Sequence, residues 1–335
     1  MRRSRVTLED VTEIETLARA FWRASRGKRE RPAVRRFAAR LGQDLARLGH
    51  EVRAGTVSLG RTRSFKIFDP KPRVIHAPCF RERVLHHALF EHVGPVLDRA
   101  LVDDTFACRE GKGSLAAVLR AQQHARRFPW FVKTDIRAYF ASVDHDLLHA
   151  ALARKLRDRG VLELCERIIR AHAVTPGRGL PLGALSSQHF ANFFLAPLDR
   201  LLLESLRVAG MVRYMDDVVA WCRSRAEARV VREAIIEFTR DHLRLEVRQP
   251  TQIQRSACGL SFLGFRIYAG SLRLSRRRRR RHARARQRWE RAYSEGRIDA
   301  STLQAGYAAA LAITAHADAR SWRQEQLRRA PEVDA

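Results

Sequence analysis

The chain is 335 residues long and 45% hydrophobic, and its 64 Lys+Arg against 36 Asp+Glu give a formal net charge of +28. This length and apolar content exclude a wholly disordered chain and leave room for about two domains or one multi-lobed unit. No run approaches the roughly 18 apolar residues of a membrane span, and the five widely spaced cysteines, without a CxxC, fit neither a disulfide framework nor a structural zinc site. Lysines number only six, so 58 of the basic residues are arginine. A GC-rich coding sequence accounts for Arg over Lys but not for the surplus of positive charge, which predicts a polyanionic partner, nucleic acid first. Met1 to Arg5 leads into a stretch with four acidic residues up to Glu15 and no apolar signal-peptide core. A cytoplasmic location without membrane association is expected.

Residues 1–60 read as a basic, helical N-terminal extension. Leu17, Phe21 and Trp22 form one apolar face, and Pro32 opens a second segment carrying Val34, Phe37, Leu41 and Leu45. Two short β-like stretches, Thr56–Leu59 and Ser64–Phe68, precede Pro70 and Pro72, which break the pattern. Apolar residues from Val84 to Val96 recur at helical spacing, and a loop with Gly111 and Gly113 leads into a further helix from Ser114. Trp130–Thr134 is a short apolar strand ending at Asp135. Helices are predicted over His145–Leu156 and Val161–His172, then a Gly/Pro loop from Pro176 to Gly183. An amphipathic helix follows from Ser187 to Leu206, kinked at Pro197. Met211–Tyr214 and Val218–Cys222 are β-rich runs flanking Asp216-Asp217. Ala226–His242 is a predicted helix, and Leu243–Val247 and Ser261–Ile267 are predicted strands. This order predicts an α+β fold with an antiparallel sheet backed by helices. The last segment changes character: Ser271 to Glu295 holds eleven Arg against two Glu, with Arg276–Arg281 uninterrupted. A helix pair over 296–326 and a short acidic tail over 331–335 follow.

Asp135 at the end of an apolar strand and Asp216-Asp217 at a hairpin turn are the chemical signal. Adjacent carboxylates raise one another's pKa unless a cation sits between them. An Asp-Asp pair is also an ordinary turn sequence, but here both flanks are β-formers, which puts the pair at the tip of a buried hairpin. Oxygen ligands from neighbouring strands suit Mg²⁺, and two such ions about 3.5–4 Å apart serve in-line phosphoryl transfer.

Tyr214-Met215-Asp216-Asp217 matches the YxDD box of reverse transcriptases. Asp135-Ile136-Arg137-Ala138-Tyr139-Phe140 resembles their first catalytic motif, and Ser261-Phe262-Leu263-Gly264-Phe265 their primer-grip strand pair. The resemblance spans about residues 65–270. Between these motifs, Gly179 to Gln188 occupies the place of the usual Gln-Gly-x-x-x-Ser-Pro, with Leu182 for the Gln and Gln188 for the Pro. That form, with the run Arg73 to Leu89, resembles the reverse transcriptases of diversity-generating retroelements, in which it accompanies miscopying of template adenines.

The resemblance implies a right-hand polymerase: fingers at 61–128, palm at 129–255 with finger insertions, a primer-grip region at 256–270 and a basic helical thumb at 271–335. It implies an RNA-directed DNA polymerase using two Mg²⁺ ions, with Mn²⁺ as a substitute. Asp135 and Asp216 would bind both metals with the Ile136 carbonyl, and Asp217 would hold the cluster's geometry. Arg73 would clamp the triphosphate, with Lys66 or Lys71 assisting, and Phe140 would exclude a 2′-hydroxyl. Gly183 would allow close approach to nucleotide and template, and Leu182 and Gln188 would lie near the base pair; an ordinary polar residue in a first helical turn would look the same as Gln188. Arg276, Arg277, Arg280 and Arg281, with Gly264 of the primer grip, would hold template and primer; the arginine run also reads as a solvated tail. The implied partners are template RNA, the primer–cDNA duplex, dNTPs and a multimeric accessory variability protein. The alternatives are a retron-like or defence-associated bacterial reverse transcriptase, and an inactive RNA-binding scaffold, against which the three intact carboxylates count. No lysine follows Lys155 to protonate pyrophosphate; Arg248 stands near that place.

Overall fold

The computed structural model describes residues 3–68, 72–171, 173 and 175–329. Helices Leu8–Thr12, Ile14–Ser25, Pro32–Ala38 and Leu41–Arg53 build the N-terminal extension. They pack on the helix Phe80–Asp98, whose Val84, Leu85, Ala88, Leu89 and Val93 are fully buried. Between them runs the antiparallel hairpin of β1 (Thr62–Phe68) and β2 (Pro72–Pro78).

The central sheet has the order β4-β5-β3-β6, all antiparallel: β3 is Trp130–Thr134, β4 Gly210–Tyr214, β5 Asp217–Cys222 and β6 Gln252–Arg255. Its inner strands, β5 and β3, are largely apolar because both faces are covered. Successive side chains point to opposite faces. Val132, Met211, Val218, Ala220 and Cys222 enter the main core, which includes the helices Leu185–Phe194 and Arg225–Leu243. Phe131, Val212, Val219 and Trp221 enter a second, smaller core beneath the helix Ser114–Arg127. That second core also takes Phe262, Phe265 and Ile267 from a three-stranded sheet of β7 (Leu260–Phe262), β8 (Phe265–Ile267) and β9 (Leu272–Leu274). The helix Arg276–Ser294 leaves this sheet and packs against Ala300–Ala312, where Gly306 lets the Trp289 ring approach to 2.5 Å of where a Cβ would stand. The helix Arg320–Arg329 completes the C-terminal unit.

Four local expectations are corrected. Thr56–Leu59 is not a strand: the Thr56 and Val57 N–H groups bond to the Glu51 carbonyl, wrapping the chain around the end of the preceding helix, and Val57 is buried. The pattern does not break at Pro72, which starts β2; prolines at both ends of a strand cost no interior ladder bond. Leu243–Val247 forms only a single bridge, Val247 to Ile136, and the sheet's fourth strand is the polar β6. The helix expected over Ser187–Leu206 is interrupted at Leu195, two residues before Pro197, and resumes as a short turn and a π-helical segment, Leu201–Ser205. The tail expected over 331–335 lies outside the described residues.

Candidate active site

The β3–β5 register, Thr134 opposite Val218, carries the chain so that Asp135 emerges beside Asp217 and the β4–β5 turn. Tyr214 pairs with Asp217, leaving Met215 and Asp216 as a two-residue turn with Met215 at φ 59°. A non-glycine residue there is strained and persists only where its surroundings hold it.

Burial, together with the Asp135 and Asp217 charges and a side-chain hydrogen bond with Asp135, pushes the Asp216 carboxyl up to about 6. Two carboxyls crowded together beside a third are a site short of positive charge. Burial also raises Asp217, against the Lys133 ammonium 3.2 Å from its Oδ1. Lys133 lies two residues before Asp135 on β3 and also donates to the Ser261 carbonyl at 2.9 Å, tying Asp217 to β7. Arg248 faces Asp135 Oδ2 at 2.9 Å through its Nε, and its backbone N–H donates to the Asp135 carbonyl. The three carboxylates stand within electrostatic reach of one another. Asp135 and Asp216 meet, Asp217 turns to Lys133, and among the described residues no three acidic, His or Cys side chains stand as a ready metal cluster. The flanking bonds, Arg248 N–H to Asp135 and Arg137 N–H to Glu246, make Ile136–Val247 a non-hydrogen-bonded pair, which leaves the Ile136 carbonyl outside the bridge.

A buried arginine holds the turn from behind. Arg213 and Asp199 are fully buried and paired through two 2.7 Å contacts. The remaining Arg213 donors reach the Asn192 side chain (2.8 Å), the Asn192 carbonyl (3.0 Å) and the Met215 carbonyl (3.0 Å). All five N–H donors are thereby used, and the strained residue of the turn is fixed to a helix-borne carboxylate. Thr105 also donates to Asp199, at Oδ2 and 3.0 Å, the oxygen that accepts from Arg213 Nη2. Neither Lys133 nor this network was foreseen as functional; the i, i+2 spacing of Lys133 and Asp135 on one strand was the available signal for the first.

After Asp135, Ala138 takes φ 47° and turns the chain into a short helix, Tyr139–Ser142. Tyr139 is buried and its hydroxyl donates to the Ala191 carbonyl, while Phe140 is half-buried and its carbonyl accepts from Leu180 N–H at 2.6 Å. The following loop is docked to the hairpin: the Leu182 carbonyl accepts from His76 N–H at 2.7 Å. Gly183 sits at φ 110°, and a Cβ there would lie 2.5 Å from Ile75 Cγ2 and 3.4 Å from the His76 carbonyl. Gly183 thus admits β2. Gln188 is exposed in the first turn of Leu185–Phe194, with the Cys108 thiol at 3.7 Å. Arg73 is exposed on β2 opposite Ile67. Lys71 lies outside the described residues.

Leu263 (φ 46°) and Gly264 (φ 85°) make the β7–β8 turn, with Arg278 Cδ 3.1 Å from where a Gly264 Cβ would stand. The arginine run divides by helical phase. Arg278 turns inward over the Phe265 ring (4.3 Å) and Arg279 over Trp322 (5.8 Å). Arg276, Arg277, Arg280 and Arg281 are exposed. The last three, with Arg284, Arg288 and Trp289, line a cavity of about 940 Å³ that reaches Phe68 at the end of β1.

The sequence profile of the reverse transcriptase (RNA-dependent DNA polymerase) family matches residues 68–267, more than half of the chain. The chain belongs to this reverse transcriptase family. Its fold is that of a right-hand polymerase, mixing helices with an antiparallel palm sheet. It is 24% identical to protein YkfC of Escherichia coli K12 over half of this chain and 47% of that one. It is 22% identical to the group II intron-encoded protein LtrA of Lactococcus lactis subsp. cremoris over 40% of this chain and 23% of that one. The chain therefore spans less than half the length of these relatives. Among solved structures, Candida tropicalis telomerase in complex with a fragment of telomeric RNA aligns at 12% identity and TM-score 0.47, over 83% of this chain and 56% of that one. No helix among the described residues is long and apolar enough to cross a membrane.

Proposed function

We propose that this reverse transcriptase is an RNA-directed DNA polymerase that copies a template-repeat RNA of a diversity-generating retroelement, with errors at template adenines. The observation that carries the polymerase reading is the strand register that brings Asp135, at the end of β3, beside the Asp216-Asp217 turn pinned by Arg213. The family works with divalent metal ions, and the donor set fits them: crowded acid groups at the ends of β3 and β5, with Asp216 held up at about 6, gain from a cation between them. Asp135 and Asp216, with the Ile136 carbonyl, would hold two Mg²⁺, or Mn²⁺ in their place. Bound there, the ions supply stabilisation for the attacking 3′-oxygen and the leaving pyrophosphate.

The chain's own residues do the remaining work. Arg73 meets the triphosphate, with a flat fork suited to phosphate oxygens, and Lys66 or Lys71 adds charge. The Phe140 ring lies under the incoming sugar and disfavours a 2′-hydroxyl. Lys133 keeps Asp217 neutralised and tethered to the primer-grip strand β7. Gly264 and the exposed Arg276, Arg277, Arg280 and Arg281 follow the template–primer backbone, which gives binding without sequence preference. Arg248 stands near the place of a pyrophosphate-protonating lysine, but a guanidinium holds its proton too tightly to donate it, so either water delivers that proton or catalysis is slow.

The Leu182 and Gln188 substitutions support the retroelement assignment, with an accessory variability protein as the further partner and the cytoplasm as the place of action. The intron-encoded relative favours a second reading: a bacterial reverse transcriptase of another mobile or defence element, with the same chemistry and an ordinary error spectrum. Primer extension on RNA followed by cDNA sequencing tests both. Errors concentrated at template A, reduced by Leu182→Gln or Gln188→Pro, are the expected outcome; an even spectrum unchanged by either variant rejects the retroelement assignment and leaves the polymerase.

A further inference from the structure

The two ends of the central sheet carry opposite charge. Asp135, Asp216 and Asp217 stand at one; at the other, where β3 begins, arginines gather around an indole ring. Trp130 opens β3 and pairs with Cys222 on one side and Arg255 on the other. Directly paired residues share a face of the sheet, so the Arg255 side chain comes to the Trp130 ring, its guanidinium carbon 5.4 Å from the ring centre. Arg225, the first residue of Arg225–Leu243, reaches the same ring at 5.9 Å. Arg223 directly follows Cys222, and Arg127 ends the helix Ser114–Arg127 three residues before Trp130. Ser256 ties these segments together: its N–H donates to the Pro129 carbonyl at 2.8 Å and its hydroxyl to the Phe128 carbonyl at 2.6 Å. All four arginines are exposed, and none of their guanidinium groups pairs with a carboxylate among the described residues. Nearby Glu227 is engaged at the helix start, where its Oε2 accepts from the Arg223 backbone N–H at 2.8 Å. One ring attracts a cation only weakly, whereas two guanidinium groups on it repel each other. Such a cluster gains when an anion joins it.

The chemistry of the cluster selects the anion. A guanidinium lying against an aromatic ring keeps a flat edge of donors that matches phosphate oxygens. Trp130 is partly open to solvent, and an indole so placed offers an unpaired base a surface to stack on. A phosphodiester strand uses both the charge and the ring, whereas an acidic protein surface uses the charge alone. Position then selects the strand. Trp130 lies five residues before Asp135 on one strand, roughly 17 Å away at the usual rise, too far for a nucleotide held at Asp135 to reach. We propose that Trp130 with Arg127, Arg223, Arg225 and Arg255 binds RNA outside the stretch being copied, anchoring an unpaired loop of the template RNA to the end of the sheet opposite the carboxylates. The proposal rests on the polymerase reading for the source of the RNA; the arginine–indole cluster itself takes no part in the reaction.

The test compares binding of a minimal template–primer duplex with that of the same duplex whose RNA strand continues into a stem–loop, using the full chain and the double variant Arg225→Gln/Arg255→Gln. The wild type should bind the extended RNA more tightly, and the variant should lose about five- to tenfold in affinity for that RNA only. The slope of log affinity against log salt should fall by about 1.4, for two lost single-strand phosphate contacts, and Arg225→Lys/Arg255→Lys should restore it. Primer extension on the minimal duplex should be unchanged. Ultraviolet crosslinking of the wild type to the extended RNA, which needs no variant to fold, should join a loop base to Trp130. An equal loss on both RNAs, no loss on either, or crosslinks that avoid Trp130 overturns the proposal. Polyglutamate that displaces the extended RNA from the wild type, but not from the double variant, would assign the patch to an acidic protein and overturn it too. A wild type that prefers the extended RNA but extends no primer on either would instead break the polymerase reading, which separates the two failures.

Discussion

The palm turn and the C-terminal arginine helix handle surplus charge in opposite ways. At the turn, like charges are crowded, partly buried and fixed from behind: Asp216 sits between Asp135 and Asp217 while Arg213 clamps the Met215 carbonyl. On the helix Arg276–Ser294, charge is spread along an exposed face, and only Arg278 and Arg279 turn inward to aromatic rings. The first arrangement is costly without a ligand and geometrically exact; the second is cheap, adaptable and screened by salt. A reaction centre needs the former, and a surface that must slide along a duplex needs the latter.

The sharpest way to break this contrast is Asp216→Asn. Primer extension should fall by roughly 10³-fold or more, the scale of several kcal/mol of charge stabilisation, while the metal-free protein gains on the order of 1 kcal/mol by losing a crowded charge. Wild-type pH dependence carries the same logic. Asp216 binds its proton more tightly folded (about 6) than unfolded (3.8). Its contribution to metal-free stability is therefore greatest at low pH and is lost as pH rises from about 3.8 to about 6. Metal affinity runs the other way, falling as pH drops through about 6, because the ion must displace that proton. Calorimetric melting with and without Mg²⁺ across pH 4 to 8 checks both slopes.

Next in size is Arg213→Met, which strands Asp199 in the core and should cost about 3–5 kcal/mol in denaturant unfolding. The double variant with Asp199→Leu should recover much of that stability without recovering activity, because the Met215 carbonyl remains unheld. Recovery of both would reduce the network to packing. The smallest structural effect belongs to the helix: Arg280→Gln with Arg281→Gln should leave stability within about 0.5 kcal/mol while lowering the salt slope of duplex binding by about 1.8. A salt slope that does not move would take the duplex off this face.

The sequence made the palm legible because a sheet covered on both faces writes its strands as apolar runs, and Trp130–Thr134 and Val218–Cys222 stand almost as expected. The carboxylates were legible because Asp135 closes an apolar strand and Asp216-Asp217 lies between two runs of β-formers. The parts that escaped depend on distant partners. Arg213 looks like one polar interruption in a strand until Asp199 and Asn192 arrive from other elements. The edge strand Gln252–Arg255 is polar and short, so no pattern marks it, and Thr56–Leu59 has β-formers whose N–H groups are taken by a helix end. The split of the arginine run into inward and outward members was in the helical phase, but which face turns inward depends on Phe265 and Trp322.

Asp135 and Asp216 are proposed to hold the same divalent ions. Anomalous diffraction from crystals grown with Mn²⁺, template–primer and a non-hydrolysable dNTP tests it most directly. Manganese peaks are expected between these two carboxylates and beside the Ile136 carbonyl, and are expected to be absent from Asp216→Asn crystals. Peaks elsewhere, or a peak that persists unchanged in the variant, would contradict it.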